Sequence, residues 1–422
     1  MVYEFGYDHT VQTADIPEAN VLATLKSLPV KHEHIGVPAV DIALQNPIGE
    51  EALSEKAKKA LSKKEDARFV IITSDISRPC PSYKILPSVL RELYTAGVSK
   101  EQITVIFALG SHRNHTEEEM RHLVGDEVFE TVRCMDSTPD DVIHMGRTKH
   151  GTDVDITRVV AEADFRIGVG NIEFHYFAGF SGGAKALMPG VSTPRAIEQN
   201  HALMVQEKAC AGNITDNPLR IDIEEAETYC HLDYIVNVVL DEHKEIVYAV
   251  AGDVTKAHRV GCAYLSKMYS CPIPKKADIV IVSQGGAPKD ANLYQTQKAI
   301  DNAKHAVRDG GTMIVVGCCK EGFGSKIFEE WLLSAESPEA LIERIAREFK
   351  LGGHKAAAIA MVEVRAQMDL VSEMDPDTVR NIFMTPRKSL QEAVGAAFLK
   401  YGPDASVILM PYGGSTLPIE TK

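Results

Sequence analysis

A chain of 422 residues has room for two domains of ordinary size, each able to bury a core without disulfide or metal support. Hydrophobic residues at 45% and charged residues at 25% are globular proportions, which excludes a disordered or fibrous chain. The 45 basic and 59 acidic residues leave a net charge of −14, the wrong sign for a nucleic-acid partner.

No apolar run approaches the about 18 residues of a membrane span. The opening MVYEFGYDHT has no apolar h-region, so a cytoplasmic protein is expected. Short β-branched runs then alternate with helical stretches, the pattern of parallel α/β sheets. Phe69 to Thr73 (FVIIT) reads as a buried strand, followed by the loop SDISRPCPSYK and a helix from about Ile85 to Thr95. Ile103 to Leu109 is the next strand, and its loop GSHRNHT ends at Thr116, a helix N-cap whose capping box closes with Glu119. Arg166 to Gly170 is a third strand and opens onto NIEFHYFAGFSGGAKALMPGVSTPRAIEQNH, the densest small-residue segment of the chain. Tyr234 to Leu240 and Glu245 to Val250 read as a hairpin, and Val254 to Met268 as a helix.

A proline-bearing linker near 270–278 marks a boundary, giving domains 1–272 and 273–422. Beyond it the alternation resumes: a strand Asp278 to Ser283, a helix from about Leu293 to Val307, a strand Thr312 to Gly317 and a helix from about Pro338 to Phe349. It continues through Val379 to Met384, the helix Leu390 to Lys400 and Ser406 to Met410. The expected fold is two doubly wound α/β domains. Ligands of such sheets sit beyond the carboxyl ends of strands, and the expected active site is the interdomain cleft.

The eight cysteines include no CxxC and no zinc-spaced Cys/His cluster, so buried reduced thiols are expected. The glycines from Gly168 onward fail both nucleotide fingerprints: Glu173 stands where G-x-G-x-x-G needs glycine, and Ala184 separates Gly183 from Lys185. Ser181, Gly182 and Gly183 could instead present several N–H groups to one phosphate, with a plain turn as the equal alternative. Lys185 precedes the apolar-rich ALMPGV; an amine drawn into such surroundings loses its proton and becomes a usable nucleophile.

His112 and His175 each lie just past a strand and could meet as paired acid and base, an arrangement that suits a racemase. His115 competes with His112 within one loop. Asp75 and Arg78 could hold an anion, with a surface ion pair as the plain alternative. Gln295 and Lys298, spaced i and i+3 after Tyr294, share a helical face and could hold a carboxylate; a solvated first turn is the commoner case.

Taken together, SDISRP, GSH, HYFAGFSGGAKALMPG with His201 beyond it, and YQTQK resemble the nickel-pincer lactate racemase family across most of both domains. The resemblance implies racemisation or 2-epimerisation of a 2-hydroxy acid by reversible hydride transfer. It also implies a nickel-pincer nucleotide, a pyridinium mononucleotide with two thiocarbonyl arms, supplied by cofactor-synthesis proteins. Residue by residue, it implies that Lys185 carries the cofactor covalently, that His201 ligates nickel, and that His112 and His175 alternate as acid and base. Asp75, Ile76, Ser77 and Arg78, with Ser181, Gly182 and Gly183, match cofactor-contacting segments. Arg78, Tyr294, Gln295 and Lys298 match substrate-anchoring positions. Should His201 not serve the metal, His231 and His354 are the next candidates.

Lactate-specific members have a tryptophan near the side-chain end of the pocket. Here the only tryptophan is Trp331, and GGHKAAAIAMV around His354 offers alanines, which suggests room for a larger or more polar hydroxy acid. The rival readings are a dehydrogenase using diffusible NAD and a non-catalytic carrier of the nickel cofactor. The failed fingerprint counts against the first, and the paired histidines against the second.

Overall fold

The computed structural model describes residues 1–27 and 30–421. The chain divides into two compact units, Val30–Ser266 and a second made of Met1–Pro29 together with Lys267–Lys422. The expected boundary at 272/273 therefore falls within a few residues of the observed one. The first segment, however, belongs with the C-terminal unit and not with the domain 1–272. Its strand Val21–Thr24 pairs with Val407–Met410, a partner far outside any local sequence window.

In the Val30–Ser266 unit a six-stranded sheet runs in the order Ile246–Gly252, Tyr234–Leu240, Phe165–Ile172, Phe69–Ser74, Ile103–Ala108, Arg133–Asp136. Every neighbouring pair is parallel except the expected hairpin at one edge. The central strand FVIIT is buried along its length, as a strand covered on both faces must be. Helices Val37–Gln45, Leu53–Lys63 and Ser82–Thr95 supply one covering layer, with Val40, Leu53, Ile85 and Val89 packed on Phe69, Ile71 and Phe107. The chain adds strands to one side of Phe69–Ser74, then returns to its other side with Phe165–Ile172. The order thus reverses between these two strands, and ligands of open α/β sheets bind at such a point.

The other unit holds a second six-stranded sheet, entirely parallel, ordered Thr385–Arg387, Gln367–Val371, Val307–Val316, Ala277–Ser283, Val407–Met410, Val21–Thr24. Val379 to Met384 is not part of it: helix Pro376–Asn381 covers the start of that stretch, and the strand begins at Thr385. The helix wins because Asp375 caps it, accepting from the Thr378 amide at 2.8 Å, with Pro376 in its first turn. The helix from Leu293 ends at Ala303, and the next strand already begins at Val307. Helix Gly353–Glu363 is an unanticipated element, buried on nearly all sides.

In this sheet the order reverses between Ala277–Ser283 and Val407–Met410. The loop after the first of these strands is covered by an antiparallel hairpin, Val2–Tyr7 with Thr10–Asp15. The Ser283 hydroxyl donates to the Gly6 carbonyl at 2.7 Å, and the Ala287 amide donates to the Asp8 carbonyl at 2.8 Å. A Cβ on Gly6 would collide with the backbone of Gly285 and Gly286. Backbone lies on backbone there, so a dinucleotide has no room across this switch point. Among the described residues no helix is long and apolar enough to cross a membrane.

Candidate active site

Three loops of the Val30–Ser266 unit leave the carboxyl ends of adjacent strands around its switch point: Asp75–Arg78 after Phe69–Ser74, Gly110–His115 after Ile103–Ala108, and Glu173–Lys185 after Phe165–Ile172. Asp75 is buried, at 3% exposure, and its carboxylate lies 2.7 Å from His112 Nδ1. Burial works to raise the Asp75 pKa, but the His112 hydrogen bond, Ser77 and the Arg78 guanidinium outweigh it and hold the group below its usual value. An ionised Asp75 accepts a hydrogen bond from His112 Nδ1–H, and in the neutral ring the lone pair is then on Nε2. The geometry is that of a general base oriented by a carboxylate.

His115, the competitor left open by the sequence, has both ring nitrogens engaged. Nδ1 meets Asp136 at 2.6 Å and Nε2 accepts the Ile76 amide at 3.0 Å, with the side chain 1% exposed. It braces the loop. The same bond occupies the Ile76 amide, so within Asp75–Arg78 it is the side chains of Ile76, Ser77 and Arg78 that stay exposed.

His175 lies in a two-strand turn, Phe174–His175 with Gly179–Phe180. Its Nδ1 accepts the Ala178 amide at 3.2 Å, so the neutral ring carries its proton on Nε2, opposite to His112. The pKa of His175 is held well below 6.5, first by burial and then by Lys185, Arg78, His201 and Arg220. Phe177 stands edge-on to His175 at 4.5 Å and to His201 at 4.9 Å, which brings both histidines to one aromatic ring. His201 ends helix Pro194–His201, whose start is set by Pro194 and by Thr193, which caps the Ala196 amide at 3.3 Å.

Lys185 sits in a single 3-10 turn, Gly183–Ala186. Its amine is driven well below the usual lysine range, first by burial, then by the positive charges of Arg220 and Arg78, against a weaker pull from Glu173. An unprotonated amine is a nucleophile at neutral pH. Arg220 escaped the sequence reading because DNPLRIDIEEAE looks like a solvated amphipathic helix. It is fully buried, donates to the carbonyls of Ala178 and Phe180, and leaves Nη1 without a hydrogen-bond partner. An acidic protein has thus placed the guanidiniums of Arg220 and Arg78 around Lys185 and His175, a local condition for holding an anion.

The expected three-amide phosphate cradle takes a narrower form. The Ser181 amide donates to the Glu173 carbonyl at 2.9 Å, and the Gly183 amide donates to Asn237 Oδ1 at 2.8 Å. The Ser181 hydroxyl also accepts the Glu173 amide and donates to the Asn171 carbonyl. The two glycines are needed for closeness: a Cβ on Gly182 would lie 2.8 Å from Asn237 Oδ1, and one on Gly183 2.9 Å from the His258 ring. His258, also unanticipated, lies 2.7 Å from the Ser181 carbonyl through Nε2 and braces this turn.

His231 lies at the surface on Glu227, 2.7 Å away. Among the described residues no three His, Cys, Asp or Glu side chains come together to hold a metal ion. A metal beside His201 would therefore take most of its ligands from a bound group.

In the other unit, Tyr294, Gln295 and Lys298 open helix Leu293–Ala303, capped by Asn292, whose Oδ1 accepts the Gln295 amide at 3.0 Å. Gln295 and Lys298 are exposed on one helical face, as their spacing requires. Trp331 is core: it is fully buried, packs against Gly353, and lies under Arg344 at 4.1 Å. Ala356, Ala357 and Ala358 are buried, and His354 Nδ1 accepts the Gly352 amide at 2.9 Å.

A doubly wound α/β chain with histidines on two loops at one switch point has the residues that an isomerase of the racemase class would use. Comparison with known proteins makes this specific. The family model described as the lactate racemase N-terminal domain matches residues 7–212, and that of the C-terminal domain matches 273–417. The lactate racemase of Lactiplantibacillus plantarum is 33% identical, over 97% of this chain and 98% of its own. That of Thermoanaerobacterium thermosaccharolyticum is 32% identical over 98% of each. The solved lactate racemase apoprotein from T. thermosaccharolyticum superposes with a TM-score of 0.85 at 30% identity, covering 100% of both chains. A Thermotoga maritima protein at 18% identity and TM-score 0.58 shares the fold alone. The chain belongs to the lactate racemase family.

Proposed function

We propose that this protein interconverts the enantiomers of lactate, or of a related 2-hydroxy acid, with a nickel-pincer nucleotide as its cofactor. The observation that carries this reading is the His112 imidazole held by the buried Asp75 carboxylate, in one unit with His175 and the buried Lys185 amine. A racemase needs a base for one face and an acid for the other, and the roles exchange in the reverse direction.

The residues present fit the proposed group. Lys185, whose amine burial pushes down, would hold it covalently, His201 would give an imidazole to nickel, and the buried Arg220 guanidinium, whose Nη1 lies 4.0 Å from Glu224, would favour an anionic arm. Soft sulfur donors with one imidazole are a recognised nickel environment. When bound, the group supplies a pyridinium carbon able to accept the Cα hydrogen as hydride and return it. The chain does the rest: Arg78 receives the carboxylate and His112 withdraws the hydroxyl proton of one enantiomer, while Gln295 and Lys298 are the carboxylate-anchoring candidates of the other unit. His175 would do the same for the other enantiomer, and each histidine would return its proton as an imidazolium when the reaction runs the other way. Cofactor-synthesis proteins would be the obligate suppliers.

The test is racemisation of single-enantiomer lactate in deuterated water by protein made alongside the cofactor-producing proteins. Racemisation with an unlabelled Cα is expected, because hydride held on a ring carbon does not exchange with solvent. Stoichiometric deuterium at Cα overturns the hydride route. Turnover of larger hydroxy acids but not lactate reassigns the substrate.

A further inference from the structure

Helix Gly353–Glu363 carries a lysine in an unusual setting. Lys355 Nζ donates to the Tyr294 carbonyl at 2.7 Å and also lies 4.0 Å from the centre of the Tyr294 ring. The same ring meets the edge of Phe328 at 5.5 Å and 85°, so it is held from a second side. The carboxylate that acts on Lys355, Asp301, is already bonded to Lys304 at 2.8 Å. The ammonium is thus supported by one carbonyl and one π-face. Burial, and after it the neighbouring Lys298, push it down to about 8, with Asp301 opposing.

A buried charge with so little compensation destabilises the fold, and a methionine of similar length would fill the space without that penalty. What the lysine adds is a grip on Tyr294 from two directions, main chain and ring, which a methionine lacks. Tyr294 is the second residue of helix Leu293–Ala303, and Gln295 and Lys298 stand on the same opening turns.

We propose that Lys355 is a positioning residue: by holding Tyr294 through both carbonyl and ring it sets the turn that presents Gln295 and Lys298 to the substrate carboxylate. This rests on the reading of those two residues as carboxylate anchors. Lys355 itself touches no substrate, and its influence is on binding, not on the chemical step.

The experiment compares holoenzyme with Lys355→Met, Lys355→Arg and Lys298→Met variants, recording KM and kcat for both lactate enantiomers together with melting temperature. Lys355→Met is expected to raise KM about tenfold, to change kcat less than about threefold, and to melt no lower than the parent. Lys355→Arg should recover most of the KM, because a guanidinium can also donate to the carbonyl and lie on the ring. A Lys355→Met variant with parental KM, beside a Lys298→Met variant whose KM is raised, overturns the positioning role. So does a lowered melting temperature with unchanged KM. A folded Lys355→Arg whose KM rises by tenfold or more overturns it as well, whether or not the methionine variant folds. Unchanged KM in Lys298→Met overturns the anchor reading instead, and the positioning role with it.

Discussion

Replacing Glu363 by glutamine removes a titratable group that the fold holds in an unfavourable place. Both carboxylate oxygens are buried without a hydrogen-bond partner, and burial alone lifts the pKa from 4.5 to about 8. The folded state therefore keeps a proton that the unfolded chain releases. The stability this contributes is complete below pH 4.5 and is lost as pH rises through about 8. At about 1.4 kcal/mol per pH unit the interval is worth roughly 5 kcal/mol as a ceiling, and on the order of 3 kcal/mol once local relaxation admits water. Glutamine keeps the shape and cannot ionise. At pH 5 the Glu363→Gln variant and its parent should melt within about 2 °C of each other. At pH 9 the variant should melt about 10 °C higher, taking about 2–4 °C per kcal/mol for a unit of this size. Calorimetric scans at pH 5, 7 and 9 measure this. A melting difference that is the same at all three pH values would refute the buried-acid argument.

Asp75→Asn should lower racemisation by about two to four orders of magnitude with little change in KM, since His112 loses the carboxylate that fixes its tautomer; steady-state kinetics of cofactor-loaded protein test it. Lys185 should be the lysine most readily acylated at pH 7 by a limiting amine-selective reagent in cofactor-free protein, read by peptide mapping. Preferential labelling of surface lysines would overturn this expectation. Gly6→Ala should cost about 1–3 kcal/mol by forcing the N-terminal hairpin off Gly285 and Gly286, seen as a lower melting temperature; an unchanged value would mean the loop yields freely.

Much of the candidate site was legible because its residues follow strands that announce themselves. FVIIT and ITVIFAL are continuous apolar runs, and the polar loops behind them could only lie at strand ends. The choice between His112 and His115 was not legible, since it turns on Asp136, brought alongside by sheet pairing. Arg220 was invisible for a related reason: nothing in its helix distinguishes an arginine facing solvent from one pointing under Phe180. In the other unit, GGHKAAAIAMV lacks an amphipathic period because the helix is covered nearly all round, and a pattern method has nothing to detect there. The first segment was misassigned to the 1–272 domain because a four-residue strand earns its place only from a distant partner.

That distant partner has a consequence for how the molecule is made. The Val30–Ser266 unit is one unbroken stretch and can complete itself as soon as it has left the ribosome. The other unit cannot: the Asn20 side chain bonds to the Pro403 carbonyl, 383 residues later, beside the strand Val21–Thr24 that pairs with Val407–Met410. At about 5–20 residues per second the earliest strand emerges roughly 20–80 seconds before its neighbour exists. Through that interval it presents an open hydrogen-bonding edge while a whole domain is synthesised and folds behind it. A circular permutant opened between the two units, with the old termini joined, would deliver the two strands close together and shorten the wait to the time taken to translate residues 411–422, the joining segment and residues 1–20.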